Sequence, residues 1–228
     1  ARYARNKTHV HAIFDAIPAE LNKKNKRFKL SDISKSARTE RYESDFLWLA
    51  EAGVAIPCYN VTELTAPLTL NRQHNVFKLF LCDTGLLLSM LGDGVQFSVL
   101  KGSLSINWGS ILENVCAQIL VANGFDALYY EKAKHGEIDF VVQKGGRVVP
   151  IEAKSGRIFR AHAALDSVMR VQSWGLDFAY VFCRDNTAVE IKTPEGRDIE
   201  CSVAYMPWYM ISFFEPDKLP ESWVVDLP

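Results

Sequence analysis

The tightest constraint in this chain is a pair of apolar, β-prone runs that carry carboxylates. They are Glu137-Ile138-Asp139-Phe140-Val141-Val142 and, shortly after, Pro150-Ile151-Glu152-Ala153-Lys154. Strand alternation sends every second side chain to the same face, so Glu137 pairs with Asp139 and Glu152 with Lys154. Runs this apolar belong in a core, and a core admits charge only when it is paired or bound to a metal. The stretch therefore reads as a divalent-metal site carried on two strands.

Composition narrows the setting. At 228 residues the chain is one large domain or two small ones. The formal charge of −1 selects no class of partner. There is no apolar run of about 18 residues to span a membrane, and no basic-then-apolar leader. The cysteines, Cys58, Cys82, Cys116, Cys183 and Cys201, are odd in number, widely spaced and without a Cys-x-x-Cys pair. Zinc sites and disulfide frameworks need more regular spacing, so these read as small core residues in a reducing, cytoplasmic protein. The first residue is Ala1 rather than Met, which reads as a fragment or a processed chain.

Charge is uneven along the chain. Arg2 to Arg41 holds eleven Lys or Arg against four acids, a local net of +7. Lys23, Lys24, Lys26, Arg27, Lys29, Arg38 and Arg41 are candidates to grip a nucleic-acid backbone. A solvated helical face is the equally open alternative.

Helical spacing of Val10, Ile13, Phe14, Ile17 and Leu21 predicts a helix over 8–21, with Pro18 kinking or ending it. A short helix is expected at 30–37, and a third from Thr39 to Ala50 with Gly53 closing it. Strands are expected at 54–61 and 75–82. Three helices and a hairpin follow the winged-helix order. The Thr39 helix offers Thr39, Glu40 and Arg41 at its start, a mixed set that suits protein contact better than base reading. Trp48 reads as core. Asp83 or Thr84 should cap a helix, and periodicity fades from Gly92 to Asn107, placing a boundary between a first domain at 1–95 and a second at 96–228.

In the second half a strong helix runs over 108–123, ended by Gly124, with Glu113 and Asn114 beside its apolar stripe. Strands at 127–131, 137–142 and 148–154 precede a helix at 161–173 and a strand at 178–183. The expected architecture is α/β: a restriction-endonuclease-like mixed sheet flanked by helices, behind a small winged-helix-like domain. The apolar tail, 203–214, reads as a last strand and short helix. The alternative is an exposed patch for an ATPase domain or a second copy.

Glu113, Asp139, Glu152 and Lys154 resemble the active-site set of the PD-(D/E)XK nucleases. The strand before Asp139 ends in Glu-Ile where that superfamily nominally has proline. A longer run of motifs resembles the DUF4143 region of bacterial and archaeal AAA+ ATPase-like proteins. It comprises Ile17-Pro18-Ala19-Glu20-Leu21 with Lys26-Arg27-Phe28, Trp48-Leu49 with Ala52-Gly53, Phe77-Lys78-Leu79 with Asp83-Thr84-Gly85-Leu86, Gly109 with Glu113-Asn114, Tyr129-Tyr130, Glu137-Ile138-Asp139-Phe140 and Ile151-Glu152-Ala153-Lys154-Ser155-Gly156. The resemblance implies an N-terminal ATPase, a winged helix and a nuclease-like domain. No Gly-x-x-x-x-Gly-Lys-Ser/Thr occurs here, so no ATP site is expected and the ATPase becomes a partner.

For the site itself, Asp139, Glu152 and the Ala153 carbonyl would hold Mg²⁺ or Mn²⁺, hard cations that take oxygen ligands. Glu113 would join directly or through water. Lys154 would clamp a phosphate or help deprotonate the attacking water. Ser155 and Gln172 are weaker auxiliaries, and Glu137 is either a further ligand or the partner of a lysine. The histidines are scattered, with His135 flanking the site, and no pair has metal-ligand spacing on a helix, which argues against a histidine-ligated metal. Two functions remain: metal-dependent cleavage of nucleic acid, or a non-catalytic nucleic-acid-binding or assembly module with a degenerate nuclease fold, serving the ATPase.

Overall fold

The stripe of Val10, Ile13, Ile17 and Leu21 is the buried face of helix α1 (Lys7–Leu21). The computed structural model describes residues 7–29, 39–102 and 107–217, without the side chains at 39–43. Pro18 neither ends nor breaks α1. It lies in the last turn, where a missing amide costs only the bond to Phe14, and Asn22 N–H still reaches the Pro18 carbonyl at 3.1 Å. Helix α2 (Thr39–Glu51) stops at Gly53, whose φ of +66° suits glycine, and Val54 N–H closes the turn on the Leu49 carbonyl at 3.0 Å. The helix expected at 30–37 and Arg38 lie outside the described residues, as does the side chain of Arg41. Trp48 is half-buried against the core.

Strands β1 (Ala55–Val61) and β2 (Arg72–Leu81) form the expected antiparallel hairpin. It does not stand free as a wing. The other edge of β1 pairs in parallel with β3 (Leu128–Lys132), from Tyr59 opposite Leu128 to Val61 opposite Tyr130. With β4 (Gly136–Ile138) these make a four-stranded sheet in the order β2-β1-β3-β4. Strands from both sides of residue 95 thus share one sheet.

Asp83 caps α3 (Thr84–Met90), its carboxylate accepting the Leu86 N–H at 2.9 Å. The segment that lacked periodicity holds a short helix, α4 (Val95–Leu100), with Phe97 and Leu100 turned outward. Helix α5 (Trp108–Ala122) starts on an Asn107 cap and buries Ile111, Cys116, Ala117 and Leu120. At roughly 1.5–3 kcal/mol per large apolar side chain removed from water, such a stripe holds the helix against the sheets.

The run 137–142, read as one strand, is two. A bend at Asp139 separates β4 from β5 (Phe140–Lys144), and the chain leaves the first sheet there for the second. The second sheet runs β5-β6-β7-β9-β8, with β6 (Arg147–Ala153), β7 (Phe178–Cys183), β8 (Ala188–Lys192) and β9 (Cys201–Pro207). Its central pairings, β6–β7 and β7–β9, are parallel, and its edges are antiparallel. Helix α6 (Ala163–Met169) connects β6 to β7 and is shorter than expected, giving way to a 3-10 turn at Gln172–Trp174. Edge strand β8, with Val189 and Ile191 exposed, went unpredicted.

Alternation along β5 and β6 divides the core. Phe140, Val142, Ile151 and Ala153 join the cluster that holds α1 and α5, and Val141 and Val148 join the one beneath α6. The architecture is therefore mixed α/β, two mixed sheets flanked by helices. The tail is β9 followed by a 3-10 turn (Trp208–Phe213), with Tyr209 and Phe213 exposed. All five cysteines are free thiols, four of them buried. Among the described residues no helix is long and apolar enough to cross a membrane.

Candidate functional site

Five charged side chains from five separate segments meet where the two sheets diverge. Glu113 comes from the buried face of α5, Glu137 from β4 and Asp139 from the bend after it. One carboxylate oxygen from each lies within 4.8 Å of the others. Lys78 enters from β2, wholly buried, in ion pairs with Glu137 and, at 3.6 Å, with Glu113 Oε2. Its ammonium also sits 4.8 Å from the Tyr129 ring centroid. Lys26 reaches in from the loop after α1, its Nζ 2.5 Å from Glu113 Oε1.

The local fold explains these positions. The loop carrying Lys26 is pinned at both ends. Ser110 Oγ donates to the Leu21 carbonyl at 2.6 Å, and Phe28 N–H to the Phe77 carbonyl at 2.8 Å, one residue before Lys78. Asn114, the neighbour of Glu113, fixes α5 to the end of β2. Its Oδ1 accepts the Leu81 N–H at 2.8 Å, and its Nδ2 donates to the Leu81 carbonyl and to Thr84 Oγ1, both at 3.0 Å. Asn114 is fully buried, so an amide that satisfies strand backbone at this point is not interchangeable with an apolar residue.

Charge balance governs protonation. Burial, reinforced by the Glu113 and Glu152 charges, pushes the Asp139 carboxyl well above the usual carboxylate range. Lys78 and the Ala153 N–H, which donates to Asp139 Oδ2 at 2.8 Å, pull the other way without reversing it. Burial disfavours the charge on Lys78, but Glu113, Glu137 and Asp139 outweigh it and hold the ammonium above its ordinary value. Glu113 Oε2 is buried and, among the described residues, accepts no hydrogen bond, since Lys78 at 3.6 Å is beyond reach.

Of the expected set, Glu113 and Asp139 come together, and Glu137 joins them while also pairing with a lysine. Glu152 stands outside the trio. It is not one of the three carboxylates within 4.8 Å, but it borders them closely enough for its charge to act on Asp139, and Lys154 Nζ meets it at 2.6 Å. Burial pushes the Glu152 carboxyl up against the pull of Lys154. Lys154 is itself held above its ordinary value, its burial outweighed by Glu152, Asp139 and Glu113. Ala153 enters the site through its amide, on Asp139.

The basic loop is less available than its charge implied. Lys23 pairs with Glu20 at 2.6 Å and Arg27 with Glu131 at 2.7 Å, while Lys26 is committed to Glu113. Lys24 and Lys29 are exposed. Gln172 faces elsewhere, donating to the Gly196 carbonyl, and His135 contacts Ser167. Lys78 was missed as a site residue. Its signal was present: a lone charge between Phe77 and Leu79 in an apolar strand, the pattern that marked Asp139 and Glu152.

The cluster straddles two recognised sequence regions. Residues 108–201 match DUF4143. That family is described as a domain of unknown function, and its segment here carries Glu113, Glu137, Asp139, Glu152 and Lys154. Residues 2–96 match a second domain of unknown function, DUF8612, which carries Lys26 and Lys78. No curated protein matches the chain. The carboxylates thus come from the DUF4143 region, and the lysines that meet Glu113 and Glu137 come from the other.

Proposed function

We propose that the chain is a metal-dependent phosphodiesterase acting on nucleic acid, on a nuclease-like fold of the PD-(D/E)XK kind. The carrying observation is the convergence of Glu113, Glu137 and Asp139 within 4.8 Å, built from a helix, a strand and a bend. Three carboxylates this close repel one another unless cations compensate them. An all-oxygen set with a buried, unbonded Glu113 Oε2 fits Mg²⁺ or Mn²⁺ and does not fit zinc. In such a site Glu113, Glu137 and Asp139 would hold the ion, with Glu152 behind. When bound, a divalent cation neutralises charge on a phosphoryl oxygen and lowers the pKa of a bound water.

The chain's own groups supply the rest. Lys154, about a quarter exposed and oriented by Glu152, presents an ammonium at the rim, where it would orient a water or a phosphate oxygen. Its raised pKa keeps it charged, which favours the phosphate clamp over the base. Lys24 and Lys29 are the cations on the loop free to meet a backbone. The order helix α5, strands β3 to β6, α6 and β7 supports that fold, although the middle strand of its expected three-strand meander is split between the two sheets. The winged-helix reading of the first part and the association with an AAA+ ATPase belong to the same proposal. The exposed Tyr209 and Phe213 are the face on which an ATPase or a second copy would sit.

A second reading has its own observation. Lys26 and Lys78 already supply positive charge to the trio, as in a degenerate site that serves only binding or assembly. Incubation of single- and double-stranded DNA and RNA with Mg²⁺ or Mn²⁺ separates the two. Cleavage lost in both Asp139→Ala and Lys154→Ala supports the enzyme. Metal-independent binding with no cutting of any substrate supports the module.

A further inference from the structure

Of the two lysines at the carboxylates, one is fixed and one can leave. Lys78 lies in a paired strand, has no exposed side-chain surface and is enclosed by Glu113, Glu137 and the Tyr129 ring. Lys26 lies in neither helix nor strand, and about a seventh of its side chain is exposed. The backbone on either side of it is anchored at Leu21 and Phe28. Rotation about its four side-chain bonds therefore carries the ammonium into solvent without moving the loop.

Lys26 contacts the ligand set itself. Its Nζ is 2.5 Å from Glu113 Oε1, the second oxygen of the carboxylate whose Oε2 accepts no hydrogen bond among the described residues. An ion drawing on Glu113 would add a double positive charge beside this ammonium. Like charges brought together on one carboxylate repel even where the surroundings are partly polar. The repulsion is relieved by the group that can leave.

We infer that Lys26 is a displaceable internal counter-ion that gates the Glu113–Glu137–Asp139 site: a divalent cation binds as the Lys26 ammonium swings off Glu113. This rests on the metal reading of that site. No bond is made or broken; one cation replaces another at a carboxylate. The freed ammonium then stands on the loop of Lys24 and Lys29, adding a cation where a phosphodiester backbone would approach. Metal and anionic substrate are thereby coupled through one side chain, and the exchange links the DUF8612 region to the carboxylates of the other.

The test measures Mn²⁺ binding by calorimetry on the full chain, comparing wild type with Lys26→Gln, Lys26→Arg and Lys24→Gln. Lys26→Gln should bind Mn²⁺ roughly tenfold more tightly, a coupling of ordinary size. Lys26→Arg and Lys24→Gln should stay close to wild type. In the wild type, Mn²⁺ should also speed acylation of Lys26 by a small amine-reactive ester while leaving Lys24 unchanged, a readout that needs no variant to fold. Equal or weaker Mn²⁺ binding by Lys26→Gln, or Lys26 acylation indifferent to Mn²⁺, overturns the gate and leaves the metal reading standing. No Mn²⁺ binding by any of the proteins overturns both.

Discussion

Replacing Lys78 by methionine tests whether the charge cluster is a paired network or only a crowded one. Methionine keeps the length and apolar stem of lysine, so the change removes the ammonium with little loss of volume. Glu137 loses its ion-pair partner, Glu113 Oε2 its cation at 3.6 Å, and Tyr129 a cation over its ring. Removing one partner of a buried ion pair costs about 3–5 kcal/mol. The low end, about 3 kcal/mol, applies here because Glu137 is 26% exposed and Glu113 keeps Lys26. With a urea m-value of about 3 kcal/mol/M, the midpoint at neutral pH in EDTA should fall by about 1 M. Adding Glu137→Gln to Lys78→Met should recover at least about 1 kcal/mol, because the stranded carboxylate is gone. The sign is diagnostic, since a lysine buried without effective partners would be relieved by methionine. An unchanged or higher midpoint for Lys78→Met, or no recovery in the double variant, would refute the reasoning.

Two further outcomes follow from the same region. Asn114→Leu leaves the Leu81 N–H and carbonyl and Thr84 Oγ1 without their buried partner, and should cost about 2–4 kcal/mol in urea unfolding, from two stranded backbone groups at about 1–3 kcal/mol each before partial relaxation; a loss under about 1 kcal/mol would show that the amide bonds are dispensable. Asp139→Asn should stabilise the metal-free protein at pH 8 but not at pH 4. The folded carboxyl holds its proton above the unfolded value, so wild-type stability is full below the unfolded pKa, roughly 4, and declines as pH rises toward the folded one. Asparagine avoids that decline and can keep the Ala153 amide bond. Thermal melts in EDTA showing an equal gain at both pH values would contradict it.

Most elements of the fold were legible because periodicity and punctuation agreed. Helix α5 is apolar at regular spacing between Asn107 and Gly124, and β7 is a buried run with clear ends, so both were readable from local pattern. Strand β8 was not, because its alternation is reversed: Val189 and Ile191 are exposed at the sheet edge while Glu190 and Lys192 are half-buried. The bend at Asp139 was invisible for a different reason. Residues 137–142 look like one strand locally, and only the divergence of two sheets, a tertiary event, breaks them. That bend also explains the site. It brings Asp139 to Glu113 and Glu137, with Glu152 beside them but outside the group within 4.8 Å. The Lys26–Glu113 pair, 87 residues apart, left no local trace at all.

The parallel pairing of β1 with β3 makes the two sequence families poor guides to where the protein can be cut. A polypeptide holding only 108–201 would begin its first sheet with the bare edge of β3, the kind of edge that recruits other strands. It would also forfeit β9, which lies inside the second sheet between β7 and β8. Its carboxylates would be left without Lys26 and Lys78. The two family labels divide a single hydrogen-bonded sheet, and insolubility of either half on its own would report the cut rather than the protein.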